Sequence, residues 1–496
     1  MASRPAAVVV VPSTRKPRKQ TEPHRLLRER AAGVLLHVTS LSGGHGIGDL
    51  GLGAHRFVDW LHAAGLRFWQ MLPIGPVGKG NSPYSARSAF AGEPLLISLD
   101  GLVDEGWLKR SEIRRSKGLD PTRVRYPAVQ AYKSARFLLA FERFAAAGGQ
   151  KRKTYRSFTD THQHWLPGWC SYAAGADGTT ADYHEFLQYV FDRQWTALRK
   201  YARKQEVSLI GDLPIFVSPE SADVQSNPEL FRLDRQTGKP TVVTGVPPDC
   251  FSKDGQWWEH PHYAWKRHVE SRFEWWARRV QLLLARFDVL RIDHFVGFSH
   301  LYEIPGNAKT ARKGRWRRTP GRELLAELRR RFGTLPFIAE DLGNVTKAVN
   351  ELRMDFGFPG MRILQNAFGG TGDSQDRPHH HPADCVVYTG THDNDTCEGW
   401  WCSLDQSSRD RVCAYGGGAV GRGTISEAMV RLCMTSPANL AIVPMQDVLG
   451  LGRAARMNRP GVTSARNWSW RLARGEASKR AAKEMRKVVE VSGRSG

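Results

Sequence analysis

The sequence predicts a closed (β/α)8 barrel, and three observations carry that prediction. Eight short apolar runs of β type recur along the chain, and amphipathic helical patterns separate several of them. Strand alternating with helix implies parallel pairing, and eight such units suit a barrel. The count of eight also favours a closed ring over an open doubly wound sheet.

The runs, in order, are GVLLHVTSL from Gly33, FWQMLPIGP from Phe68, SLIGDLPIFV from Ser208, FDVLRIDHF from Phe287, PFIAEDLG from Pro336, GMRILQNAF from Gly360, CVVYTGTHDN from Cys385 and LAIVPMQDVLG from Leu440. Helical patterns of Leu and Phe among charges cover residues 186–204, 270–286 and 322–331. The gap between the second and third runs is too long for a connection, so an inserted subdomain is expected over about residues 100–185. Residues 227–265, rich in Pro, Gly and aromatics, read as a long substrate loop region. Residues 1–30 read as a disordered basic arm, 31–475 as the catalytic barrel and 476–496 as a basic C-terminal tail.

With 41% hydrophobic and 24% charged residues, the 496-residue chain has the make-up of a globular protein. No apolar run approaches the roughly 18 to 20 residues that cross a bilayer, so no membrane association is expected. The early run Ala6 to Val11 is shorter than a secretory core. Seven scattered cysteines without a CxxC pair read as reduced thiols in a cytoplasm. The net charge of +23 raises the possibility of a nucleic-acid or polyanion binder. However, residues 1–30 hold eight Lys/Arg against two acids and residues 471–496 eight against three, so nearly half the excess sits in the ends. No nucleic-acid partner is expected.

In a (β/α)8 barrel the C-terminal strand ends share one active site. Asp212 ends SLIGD, Asp293 ends FDVLRID, Glu340 and Asp341 end PFIAED, and Asp393 and Asp395 follow VVYTGTH. Any one of these acids could simply cap a helix or pair with an Arg. Several on successive strands suggest more, with Arg291 on the same strand face as Asp293 and His392 beside Asp393. Two carboxylates flanking a scissile bond are the minimum for glycoside chemistry. The adjacent His379, His380 and His381 cannot converge easily on one ion, so no metal is expected, and neither a P-loop nor a nucleophile elbow is present. Among sixteen tryptophans, Trp195, Trp275 and Trp276 sit on helical patterns and read as core, while Trp258 reads as near-substrate.

Longer blocks carry a specific resemblance: LLHVTSLSGGHGIGDLG, LPIGPVGKGNSPYSARSAFAGEPLLI, GDLPIFVSPESADVQSNPELF, GVPPDCFSKDGQWWEHPHYAW, RIDHFVGF, FIAEDLG, FGFPGMRILQNAF, VVYTGTHDNDT and MQDVLGLGRAARMNRPG. From about Gly33 to Leu472 the chain resembles glycoside hydrolase family 77, the 4-α-glucanotransferases related to the α-amylases. The resemblance implies a barrel with inserted subdomains and no C-terminal β-sandwich. It implies α-1,4-glucans such as maltodextrins, glycogen or starch as substrates, and no cofactor.

The same resemblance assigns Asp293 as nucleophile, Glu340 as general acid and base, and Asp393 as a third carboxylate gripping sugar hydroxyls. A retaining enzyme is expected, its two reacting carboxyls about 5 to 5.5 Å apart. Arg291 is expected to hold Asp293 oriented, and Glu340 to have a raised pKa. Ser82, Tyr84, Asp212, Asp249, Trp258, Arg291, His294, Asp341, His392 and Asn458 match substrate-binding positions. Residues 245–258 match a lid over the acceptor side. Cys250 stands where the family usually has Tyr, and Gln225, Val296 and Asn366 where it commonly has Trp, Arg and Phe, so altered acceptor and chain-length preference is expected. A glucan hydrolase on the same fold differs only in what captures the intermediate.

Overall fold

The computed structural model describes residues 21–114, 118–248, 253–343, 345–369, 374–418 and 420–495. Eight strands form one parallel sheet: β1 (Ala31–Leu35), β2 (Phe68–Gln70), β3 (Ser208–Leu213), β4 (Val289–Ile292), β5 (Phe337–Ala339), β6 (Gly360–Ile363), β7 (Cys385–Tyr388) and β8 (Leu440–Pro444). Each lies in one of the eight apolar runs. Their order is β6-β7-β8-β1-β2-β3-β4-β5, so chain neighbours are sheet neighbours and β8 closes onto β1. Only the β5–β6 seam lacks a full ladder. There the Ala339 N–H donates to the Pro359 carbonyl at 2.9 Å. The Met361 N–H donates to the Asp341 carboxylate at 2.7 Å.

Strand alternation decides what each side chain meets. Ala31, Leu35, Phe68, Ile210, Val289, Ile338, Met361, Val386 and Ile442 pack together inside the barrel. Val34, Trp69, Leu209, Leu290 and Phe337 pack outward against the helices. The inner face is crowded enough that β1 needs glycine at one position. A Cβ on Gly33 would lie 2.6 Å from the Phe68 Cβ and 2.7 Å from Ile442. Two residues on from Ile210, Val289 and Ile338, the same parity brings Asp212, Arg291 and Glu340 to the inner face, and Asp293 follows Arg291.

Between β2 and β3 the chain forms helices Leu99–Asp104, Tyr126–Ala146, Lys153–His162 and Leu166–Asp177. It returns along Ala181–Lys204, whose apolar face, including Phe186, Val190 and Leu198, is buried against the barrel and insert. The predicted substrate loop region is more ordered than its composition suggests. Strands Val242–Val246 and Gln256–Pro261 pair with each other, and the first also pairs with His300–Pro305, which in turn pairs with Arg315–Arg318. This four-stranded antiparallel sheet stands above the β3 and β4 ends.

Both basic ends have structure where they are described. Thr21 donates to the Asp355 carbonyl, and Arg25–Leu27 forms a short 3-10 turn before β1. Residues 1–20 lie outside the described part. The C-terminal segment forms helix Lys479–Val491, which buries Ala482, Met485 and Val489 against helix Leu52–Ala63. No described helix is long and apolar enough to cross a membrane.

Candidate active site

Arg291 is the hub. Its guanidinium is 4% exposed and its Nη1 donates to both oxygens of the fully buried Asp212, at 2.9 and 2.7 Å. The same Nη1 donates to Asp293 Oδ1 at 3.1 Å, and Nη2 lies 3.5 Å from Glu340 Oε2. Three carboxylates from the ends of three adjacent strands thus converge on one planar cation, a geometry that Lys could not reproduce.

Local backbone finishes the arrangement. His294 takes a left-handed conformation, φ 51° and ψ 52°, which is uncommon for a residue with a Cβ. Its N–H donates to Glu340 Oε2 at 2.5 Å. The Glu340 N–H donates to the Ile292 carbonyl at 3.0 Å, and Phe295 N–H to the Glu340 carbonyl at 3.1 Å. The turn after β4 is therefore clasped to the end of β5, and the two reacting carboxyls are held on one wall. Among the described residues, Glu340 Oε1 and Asp293 Oδ2 accept no hydrogen bond from protein, so each acid keeps one oxygen for the lumen.

Burial, with the repulsion of Asp293, pushes the Glu340 carboxyl up to about 8 despite the opposing pull of Arg291. Burial holds His294 near 4, so its ring is neutral at physiological pH. Burial, reinforced by Asp212, pushes the Tyr84 phenol well above its usual value. It stays protonated and donates to Asp212 Oδ2 at 2.8 Å.

Asp393 stands opposite, on the loop after β7. Asn394 Oδ1 accepts from the Thr391 N–H and hydroxyl at 2.8 and 3.0 Å, which folds that loop tightly. Asp393 Oδ1 accepts from Asn458 Nδ2 at 2.6 Å and lies 3.4 Å from His392 Nε2. Its carboxylate is 47% exposed, the most open of the three acids named for chemistry. The His392 ring stacks on Tyr84 at 4.9 Å and 18°. Tyr84 thus joins the Asp212 and Asp393 walls. Ser82 accepts from the Tyr84 N–H at 3.3 Å and caps the turn that presents Tyr84. Trp258 meets the His294 ring edge-on at 5.0 Å.

Two predicted ligands are placed apart from this group. Asp341 has the opposite strand parity to Glu340, is 6% exposed and fills the β5–β6 seam, where it accepts from Met361 and pairs with Arg353 at 3.2 Å. Asp249 lies outside the described residues, as does Cys250. Of the other departures, Val296 is buried in the turn after His294, Asn366 ends a turn beyond β6, and Gln225 is exposed on a short helix. Among the described residues no group of three His, Cys, Asp or Glu is placed to hold a metal ion. His381 instead bonds to Ser436 and the Asp376 carbonyl.

Sequence reasoning missed two supports. Arg456 donates to the Asp393 and Asn458 carbonyls, both at 2.6 Å, and its place two residues before Asn458 could have drawn attention. Trp468 packs 5.9 Å from Tyr84 and 6.0 Å from His392, with no sequence signal.

The family model for glycoside hydrolase family 77, described as 4-alpha-glucanotransferase, matches residues 36–182 and 173–477. The 4-alpha-glucanotransferase of Thermus thermophilus is 40% identical over 94% of this chain and 99% of its own. The chloroplastic/amyloplastic enzyme of Arabidopsis thaliana is 41% identical over 89% and 81%. Among solved structures, the amylomaltase of Streptococcus agalactiae in complex with acarbose superposes with a TM-score of 0.89 at 34% identity, over 94% of this chain and all of that one. Fold and sequence agree: the chain belongs to the glycoside hydrolase 77 family of 4-alpha-glucanotransferases.

Proposed function

We propose that the protein transfers a segment of an α-1,4-glucan to the 4-hydroxyl of another glucan or glucose, by a retaining double displacement in which Asp293 and Glu340 react. One observation carries this reading: a single guanidinium holds both acids on one wall while each keeps an oxygen free. In the first step Asp293 Oδ2 attacks the anomeric carbon as the bond to the bridging oxygen breaks. Glu340, protonated because its pKa is near 8, gives its Oε1 proton to that oxygen. The product is a covalent glucosyl-enzyme and a shortened glucan. In the second step the acceptor 4-hydroxyl loses its proton to Glu340, and its oxygen displaces Asp293. Every proton and electron pair moves between carboxylates and sugar oxygens, so neither step needs a metal or cofactor.

Asp393, steadied by Asn458, His392 and Arg456, offers Oδ2 to ring hydroxyls, and the Tyr84 and Trp258 faces suit sugar CH surfaces. Ser82 and Asp212 act through Tyr84 and Arg291. Six described cysteines are free, which fits a reducing cytoplasm. Incubation with maltotriose tests the activity: glucose plus a ladder of longer oligomers is expected, whereas only shorter products would mean hydrolysis. Asp293→Asn should lower turnover about 10⁴-fold or more; substantial residual turnover would refute the nucleophile.

A further inference from the structure

The excess positive charge is unevenly spread. Residues 304–320 carry six cations, Lys309, Arg312, Lys313, Arg315, Arg317 and Arg318, and no acid. All six are exposed, on strand Arg315–Arg318 and the turn before it. That strand is the edge of the four-stranded sheet, with no further strand paired to it among the described residues. Its register places Arg315 opposite Glu303 and Trp316 opposite Tyr302, so alternate residues face opposite ways. Arg315 and Arg317 both reach Glu303 at 3.3 Å, and Arg312 reaches Asp254 at 2.6 Å. Lys309, Lys313 and Arg318 have no carboxylate partner among the described residues.

We propose that this edge is a recognition site for phosphate monoesters, through which the enzyme draws phosphorylated glucans to its active site. The inference rests on the glucanotransferase reading. The same sheet reaches the mouth: its opposite edge carries Trp258, which packs on His294 beside Asp293. The register aligns Trp316 with Tyr302, Gly245 and Trp257, the neighbour of Trp258, so four strands at about 4.8 Å spacing put the cationic edge about 14 Å from the strand at the mouth, within reach of a glucan lying across it. The face of Arg318 and exposed Trp316 also carries His300, whose ring meets Trp316 edge-on at 4.8 Å. Arginine forks and ammonium groups are the side chains that bind phosphate oxygens, and an exposed indole suits the sugar bearing them. Glu303 and Asp254 pair with the other three arginines, two carboxylates for three cations with Glu303 also holding Arg232, which leaves three cations without a carboxylate partner among the described residues. That number fits scattered esters on a neutral polymer better than the continuous charge of a nucleic acid.

The test compares a maltodextrin phosphorylated on a minority of its 6-hydroxyls with the same preparation after phosphatase treatment. Wild-type kcat/KM should favour the phosphorylated form about tenfold at about 20 mM salt, and the preference should vanish near 300 mM salt. Millimolar inorganic phosphate should weaken the preference. The combined variant Lys309→Gln, Lys313→Gln, Arg318→Gln should turn over both forms alike while disproportionating maltotriose at the wild-type rate. Equal use of both forms by the wild type, or a preference that survives in the variant, would overturn the proposal. So would tighter retention of an RNA of equal phosphate content, which would mark a general polyanion surface. Failure on maltotriose by the wild type would instead strike the parent reading.

Discussion

Arg291 gives Asp293 and Glu340 different partners from one cation, and this asymmetry predicts a pH profile. Burial and the Asp293 charge keep Glu340 protonated to about pH 8, so activity should fall as pH rises through that value. The alkaline limb of kcat/KM on maltotriose measures it, and Glu340→Gln should abolish both activity and limb. Because Asp293 repulsion contributes to the shift, Asp293→Asn should bring the Glu340 carboxyl below about 8, which carbon-13 NMR of labelled Glu can follow. A Glu340 that titrates at the same pH in both proteins would show that burial alone sets its value. At this scale the sequence was informative wherever an acid followed a β run, since strand parity sends Asp212, Asp293 and Glu340 inward. It could not show that Asp393 depends on Arg456, because that contact joins residues 63 apart on separate loops.

Among the elements, the strands of the barrel were legible because each is apolar on both faces and ends at a turn residue or an acid. The small sheet was not, since Arg315–Arg318 has no buried residue and is held by pairing to its neighbour and by Glu303, which apolar periodicity cannot report. Asp341 shows the same limit within one dipeptide. Glu340 and Asp341 look alike in sequence, yet alternate parity sends the first to the lumen and the second into the seam. A Cβ on Gly360 would collide with the Asp341 carboxylate, so the seam is closed around that side chain. Asp341→Ala should therefore leave the Met361 N–H and Arg353 without their acceptor, and cost about 3 kcal/mol. Thermal unfolding should register the loss, with a fall in kcat as the Glu340 end of β5 loosens. An unchanged melting temperature with a raised KM alone would instead make Asp341 a substrate ligand.

For the whole molecule, the segments around Arg30 and Arg494 meet at the N-terminal side of the strands, opposite the active site, where residues serve stability. Arg494 is 0% exposed and has no acid beside it among the described residues. Its guanidinium donates to the carbonyls of Ala31, Met434, Ser436, Ala438 and Asn439, at 2.7 to 2.9 Å. Arg30 shares three of these acceptors. Five carbonyls replace a counter-ion, and burial brings the guanidinium down to about 10. This clamp ties the entry to β1 to the loop before β8, the junction at which the barrel closes, and helix Lys479–Val491 delivers it. The net charge of the C-terminal segment thus conceals one cation that is interior and structural. Arg494→Ala should cost about 3 kcal/mol through unsatisfied buried carbonyls, seen as a lower urea midpoint, while kcat on maltotriose at 25 °C stays unchanged. Arg494→Lys should recover only part of the loss, because an ammonium has three donors for five acceptors. A midpoint that did not move in either variant would mean that Arg30 alone holds the junction.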